Sequence, residues 1–161
     1  MWIVILDDIV DRPETRHGKQ CWHLTSEGSS TCIYDAILIK ETVIDVLKLY
    51  FNKSSLYRAL CESVDKSTFQ LFIGHKLELD TAAKSKYNID YLTPDRFKVL
   101  IKYKTSAFAK MSLEIAMCLA NITDFKSHHE IDDIIHEMGY WWQIQVKKKI
   151  SLGHFTGDFN I

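Results

Sequence analysis

Trp2-Ile3-Val4-Ile5-Leu6-Asp7-Asp8-Ile9-Val10-Asp11 is the stretch on which the reading of this chain turns. An apolar run passes straight into three carboxylates. The pattern predicts a helix over residues 2–11, with Asp7 and Asp11 one turn apart on a shared face. Asp8 then lies about 100° around from Asp7. Like charges packed this closely repel one another, and at a helix C-terminus they also oppose the helix dipole. A bound cation resolves both conflicts. Hard Mg²⁺ takes oxygen ligands, commonly one or two carboxylates, with phosphate oxygens and waters completing the shell. The competing reading is a solvated acidic helix end, since charge runs usually lie on the surface. Arg16, His17 and Lys19 follow at once and offer positive groups to the far side of an anionic ligand.

Working outward, residues 12 to about 32 are polar, contain Gly18 and Gly28, and read as a long loop of the kind that often carries function. Ile33 to Phe51 reads as a helix whose polar positions Glu41, Asp45, Lys48 and Asn52 form one narrow stripe. A helix apolar over most of its circumference is expected deep in a bundle. Ser54 or Ser55 can cap the next helix, predicted to run to about Leu79, with a polar connection over residues 84–91. Thr93-Pro94 combines a hydroxyl cap with Pro at the first helical position. It starts a helix predicted to reach about Ala120, with Phe97, Ile101, Phe108, Met111 and Ile115 on its apolar face. Lys104 falls on that same face, where an ammonium is costly unless it snorkels out or meets an anion. Ser127 is placed to cap a last helix, with Ile131, Ile134, Ile135, Met138 and Trp142 along one side and Asp132-Asp133 solvated. Periodicity ends after Gln145, and an irregular tail is expected from about Ser151.

With 6 Gly, 2 Pro and no useful β-alternation, the fold is predicted to be all-α. The length of 161 residues suffices for one domain with a real core. A formal net charge of −1 gives no general attraction to nucleic acid or to an acidic membrane. Four scattered cysteines without a C-x-x-C pair read as reduced thiols. No stretch approaches a secretory signal or a membrane span, so a cytoplasmic location is expected, with an organelle left open.

Four motifs then fall in order along residues 2–145. Asp7-Asp8-x-x-Asp11, followed by Thr15-Arg16-x-Gly18 and Cys21-Trp22, resembles the first aspartate-rich motif of farnesyl diphosphate synthases, which are type I isoprenyl diphosphate synthases. Thr68-Phe69-Gln70 to Gly74 is similar to that family's T-x-x-x-x-x-G-Q-x-x-D segment. Lys102-Tyr103-Lys104-Thr105 resembles K-Y-K-T, and Gly139-Tyr140-Trp141-Trp142-Gln143-Ile144-Gln145 resembles G-x-F-F-Q-I-Q. The resemblance implies the antiparallel helix bundle of type I isoprenoid synthases in part. Residues 1–145 would be the central part of such a domain and residues 146–161 a divergent tail.

The resemblance also implies the chemistry. In the family, Mg²⁺ at the first aspartate cluster draws away the diphosphate of an allylic substrate, dimethylallyl or geranyl diphosphate. Isopentenyl diphosphate then attacks the allylic cation. Carried over to this chain, Asp7 and Asp11 are the metal ligands and Asp8 a supporting carboxylate. Arg16 and Lys104 grip the allylic diphosphate, and Thr105 and Gln143 line its site. Gln143 read from residues alone is equally a buried amide satisfied by the backbone. Trp2 and Ile3, five and four positions before Asp7, form the floor of the prenyl pocket and favour short products. A plain apolar role for Trp2, or a frayed and exposed one, stays open.

The departures from the family bear on activity. His17 stands where a second Arg faces isopentenyl diphosphate, and His carries less charge at neutral pH. His75 and Glu78 replace the Gln and Asp of G-Q-x-x-D. Val146-Lys147-Lys148-Lys149-Ile150 stands where the family has a second D-D-x-x-D, and three ammonium groups repel a divalent ion. The N-terminal isopentenyl diphosphate site has no counterpart in this sequence. The chain therefore reads as a truncated or mis-spliced synthase with weak or no elongation activity. Two alternatives remain: a terpene synthase of the same ancestry, and a non-catalytic subunit pairing with itself or with a full-length synthase.

Overall fold

The computed structural model describes residues 2–91, 93–122 and 129–151. Within these, helices dominate, as the composition predicts. Helix α1 spans Trp2–Asp11. It ends where Arg12 turns to a φ of 53°, a left-handed stop of the kind that closes many helices, with Pro13 next. The following segment is more ordered than a plain loop. Strands β1 (Thr15–Arg16) and β2 (Lys19–Gln20) form a minimal antiparallel hairpin, with Thr15 opposite Gln20 and Arg16 opposite Lys19. A short 3₁₀ turn follows at Trp22–Leu24. The rest is pinned by side chains: Trp22 Nε1 and Thr31 Oγ1 both donate to Asp35, at 2.7 and 2.8 Å. Gly28 is buried, and a Cβ there would sit 2.1 Å from the Trp22 carbonyl oxygen, so no larger residue fits that turn.

Helix α2 spans Cys32–Phe51 and packs on α1. The deep burial expected for it is not observed. Only Cys32 and Ala36 are buried, while Leu38, Leu49 and Tyr50 are largely exposed. Its apolar circumference exceeds the strip that a single neighbouring helix covers.

Helix α3 spans Tyr57–Ser85, six residues beyond the expected end at Leu79. The cap expected from Ser54 or Ser55 is not formed: Leu56 holds the N-cap position without a side-chain cap bond, and Ser54 Oγ accepts from the Leu56 amide at 3.1 Å in the turn ahead of the helix. Helix α4 spans Pro94–Ile101, and Thr93 Oγ1 accepts from the Arg96 amide, as the Thr-Pro start predicts. The expected continuous helix to Ala120 is interrupted. Lys102–Ser106 form a π-helical segment, and α5 resumes over Ala107–Leu119. The extra residue in the wide turn rotates everything after it. Leu100 and Ile101 are buried before the segment, Ser106 at its end, and Ala107, Glu114 and Cys118 after it, while Phe108, expected in the core, is about half exposed.

Helix α6 spans His129–Ser151, so it continues six residues past Gln145. The cap expected from Ser127 and the tail beyond Ser151 lie outside the described residues. The buried face of α6 runs through Ile135 and Gly139, whereas Ile134, Met138 and Trp142 are exposed. Nor is Asp132 merely solvated: it pairs with Lys110 of α5. All four cysteines are free thiols.

The backbone divides into two compact units. Among the described residues, one comprises 2–52 with 149–151, and the other those within Lys53–Lys148. The first buries Trp2, Cys21, Cys32 and Ala36. The core of the second is built from Leu60, Val64, Leu71, Leu100, Ile101, Ala107 and Ile135. Its α5 and π segment pack against α3.

Candidate functional site

In the first unit, the hairpin positions the charges. His17 and Gly18 form its two-residue turn with φ of 54° and 68°. Positive φ at both central positions is what a type I′ turn requires, and Gly adopts it without cost. His17 is exposed at the tip. The tight reversal fixes the neighbouring Arg16, whose guanidinium folds back onto α1. Its Nε donates to Asp8 Oδ1 at 2.8 Å, its Nη2 donates to the same oxygen, and Nη2 lies 3.4 Å from Asp7 Oδ2. Asp8 is 5% exposed, so its carboxylate is largely withdrawn from water, whereas Arg16 stays partly exposed. Burial works against the Arg16 charge, but the hydrogen bond and charge of Asp8, with that of Asp7, raise its pKa above the ordinary arginine value. Burial, and then the charge of Asp8, likewise raises the Cys21 thiol, which keeps it protonated.

The three aspartates thus have separate positions. Asp8 is spent on Arg16. Asp7 is half-buried beside the same guanidinium, and Asp11 is exposed at the end of α1. Among the described residues no three His, Cys, Asp or Glu side chains converge as a ready metal cage. Two carboxylates one turn apart nevertheless fit Mg²⁺, which keeps several waters and takes its remaining oxygens from phosphate. Trp2, one of the two residues expected at the pocket floor, is buried and not frayed; Ile3 is half-buried.

The second unit gathers the other candidates around the π segment. A Cβ on Gly74 of α3 would lie 2.6 Å from the Lys104 amide nitrogen and 2.7 Å from the Tyr103 carbonyl carbon. A Cβ on Gly139 of α6 would lie 2.6 Å from Ser106 Oγ. Two helices therefore approach the segment at glycines, where no side chain intervenes. Lys104 points to α3 and donates to Glu78 Oε2 at 2.5 Å. Gln143 Nε2 donates to Thr105 Oγ1 at 2.7 Å, so its partner is a side chain and not the backbone. Ser106 Oγ donates to the Ile135 carbonyl oxygen at 3.5 Å. Lys104, Thr105 and Ser106 are thereby each held by a different contact.

Below this cluster lies a buried carboxylate that sequence reading missed. Glu114 of α5 is 6% exposed and accepts from Ser63 Oγ at 2.9 Å. Lys110 Nζ lies 3.9 Å from Glu114 Oε1 and also pairs with Asp132, which ties α5 to α6. Nearby, burial and then the charge of Lys102 lower the pKa of His136, against the opposing pull of Asp132.

Residues 1–145 match the model of the polyprenyl synthetase family. The chain belongs to this family. It is 33% identical over 145 residues to the farnesyl pyrophosphate synthase of Bos taurus, covering 89% of this chain and 41% of that protein. The Homo sapiens enzyme of the same name is 33% identical over 89% of this chain and 35% of its own length. That of Saccharomyces cerevisiae is 27% identical over 89% and 41%. This polyprenyl synthetase family chain thus spans about two fifths of the length of the relatives it matches. Among its described residues no helix is long and apolar enough to cross a membrane.

Proposed function

We propose that this chain carries the allylic diphosphate site of a farnesyl diphosphate synthase-like prenyltransferase of isoprenoid biosynthesis, acting in the cytoplasm. The observation that carries the reading is the end of α1. Two acidic side chains, Asp7 and Asp11, lie one turn apart, and the hairpin folds the Arg16 guanidinium back onto Asp8 and to within 3.4 Å of Asp7. Oxygen donors for a hard cation and a forked donor for a phosphate oxygen are what a metal-bridged diphosphate needs.

The roles follow from the chemistry of each group. Asp7 and Asp11 would hold Mg²⁺, which when bound neutralises diphosphate charge and makes it a better leaving group. Asp8 orients Arg16. Arg16 binds diphosphate oxygens and stabilises the charge that builds up as the allylic carbon–oxygen bond breaks; the resemblance of Lys102–Thr105 to K-Y-K-T gives Lys104, in the second unit, a diphosphate-binding role of its own. Thr105, fixed by Gln143, can offer its oxygen to the developing allylic cation. Trp2 and Ile3 limit the prenyl tail. His17 faces isopentenyl diphosphate with less charge than an arginine, and Lys147, Lys148 and Lys149 stand where the family has a second acidic motif. Both changes make elongation slow, since a lost electrostatic group costs about 10²–10³ in rate. The exposed apolar side chains of α2 support a partner, either a second copy or a full-length synthase.

Incubating the protein with Mg²⁺ and geranyl diphosphate, with and without isopentenyl diphosphate, tests the reading. Diphosphate release that needs Mg²⁺, with slow formation of a longer diphosphate only when isopentenyl diphosphate is present, is expected. Cyclised hydrocarbons or alcohols as the main products would point to a terpene synthase instead.

A further inference from the structure

We propose that Glu78 is a positioning residue that aims the Lys104 ammonium and restrains its pull on an anion, so that diphosphate is held more loosely than Lys104 alone would hold it. The proposal rests on the reading of Lys104 as a diphosphate ligand.

The backbone under Lys104 is fixed from both sides. Gly74 of α3 touches it, Gln143 of α6 holds Thr105, and Gly139 of α6 closes on Ser106. The Lys104 side chain is the part left to adjust. Glu78 lies one turn along α3 from Gly74, on the same face, and meets Nζ at 2.5 Å. Their side chains are 15% and 26% exposed, sheltered enough for the pair to be strong and open enough for a ligand to arrive. An incoming phosphate therefore meets a neutral pair where a lone ammonium would attract it more strongly. Binding requires Lys104 to share or exchange Glu78 for a phosphate oxygen, and release returns it to a partner already aimed at it.

The test is titration of the full chain with inorganic pyrophosphate, followed by ³¹P NMR, in wild type and four variants. Glu78→Gln keeps the size and an acceptor but removes the charge, and should tighten pyrophosphate binding about tenfold. Glu78→Ala carries the same expectation and covers the case in which the Gln variant does not fold. Glu78→Asp keeps the charge and should leave affinity close to wild type. Lys104→Met should weaken binding. Unchanged or weaker binding in both uncharged variants, with Lys104→Met weakened, overturns the role of Glu78 and leaves Lys104 as a ligand. Unchanged binding in Lys104→Met overturns both.

Discussion

At the scale of single residues, the chain spends its buried charges in pairs. Asp8 shows why. Its carboxylate is almost closed off from water, and Arg16 supplies two donors to it. Asp8→Asn would leave a partly buried guanidinium facing a weaker acceptor. We expect a loss of about 1–3 kcal/mol, measured by urea denaturation, with Arg16 still about one-third exposed and so partly compensated by solvent. His136 gives a pH signature. Its folded pKa lies below the ordinary histidine value, from burial and then Lys102. Between the two values the unfolded chain binds the proton and the folded chain does not. The contribution is therefore full above the unfolded pKa and is lost as pH falls towards the folded one. His136→Gln should flatten the decline in stability on acidification below about pH 6.5, read from denaturation midpoints at a series of pH values. An unchanged slope would mean that His136 is not the group responsible.

At the scale of elements, the π segment is the feature that matters most and the one the sequence hid. Hydrophobic spacing over residues 95–120 fits an unbroken α-helix, so Phe108 and Lys104 read as one face. A single inserted residue leaves that spacing plausible while turning Phe108 out and Ser106, Ala107 and Glu114 in. The available signal was indirect. Gly74 and Gly139 sit inside helices, where Gly costs about 1 kcal/mol relative to Ala, and such glycines pay only where backbones approach closely. Gly74→Ala would press a methyl onto the Tyr103–Lys104 backbone, whereas Gly139→Ala meets a hydroxyl that can rotate away. Both should lower the melting temperature, Gly74→Ala by more, at a cost of about 1–3 kcal/mol typical of overpacking. Equal stability of Gly74→Ala and wild type would contradict the close crossing. Other elements were legible because their signals are local. The apolar run and acid cluster of α1 and the Thr93-Pro94 start of α4 each carry their own cap or stop.

At the scale of the whole molecule, the all-α architecture and the family followed from four ordered motifs spanning most of the chain, because those motifs are the residues that meet at close crossings and charge pairs. Burial was less legible. Sequence shows that a side chain is apolar but not whether a neighbour covers it, so α2 and the Ile134–Met138–Trp142 stripe of α6 read as core and are exposed here. Large exposed apolar surfaces promote association. Replacing Leu38 and Leu49, both mainly exposed, by Lys should lower self-association in sedimentation while leaving the helical signal intact. Magnesium alone should bind weaker than micromolar, since two carboxylates leave the rest of its shell to water. The most direct test of the diphosphate site is equilibrium binding of geranyl diphosphate, with and without Mg²⁺, to wild type and to Asp7→Ala/Asp11→Ala. The site described here predicts binding that requires Mg²⁺ and is lost in the double variant; equal binding without the metal, or in the double variant, would contradict it.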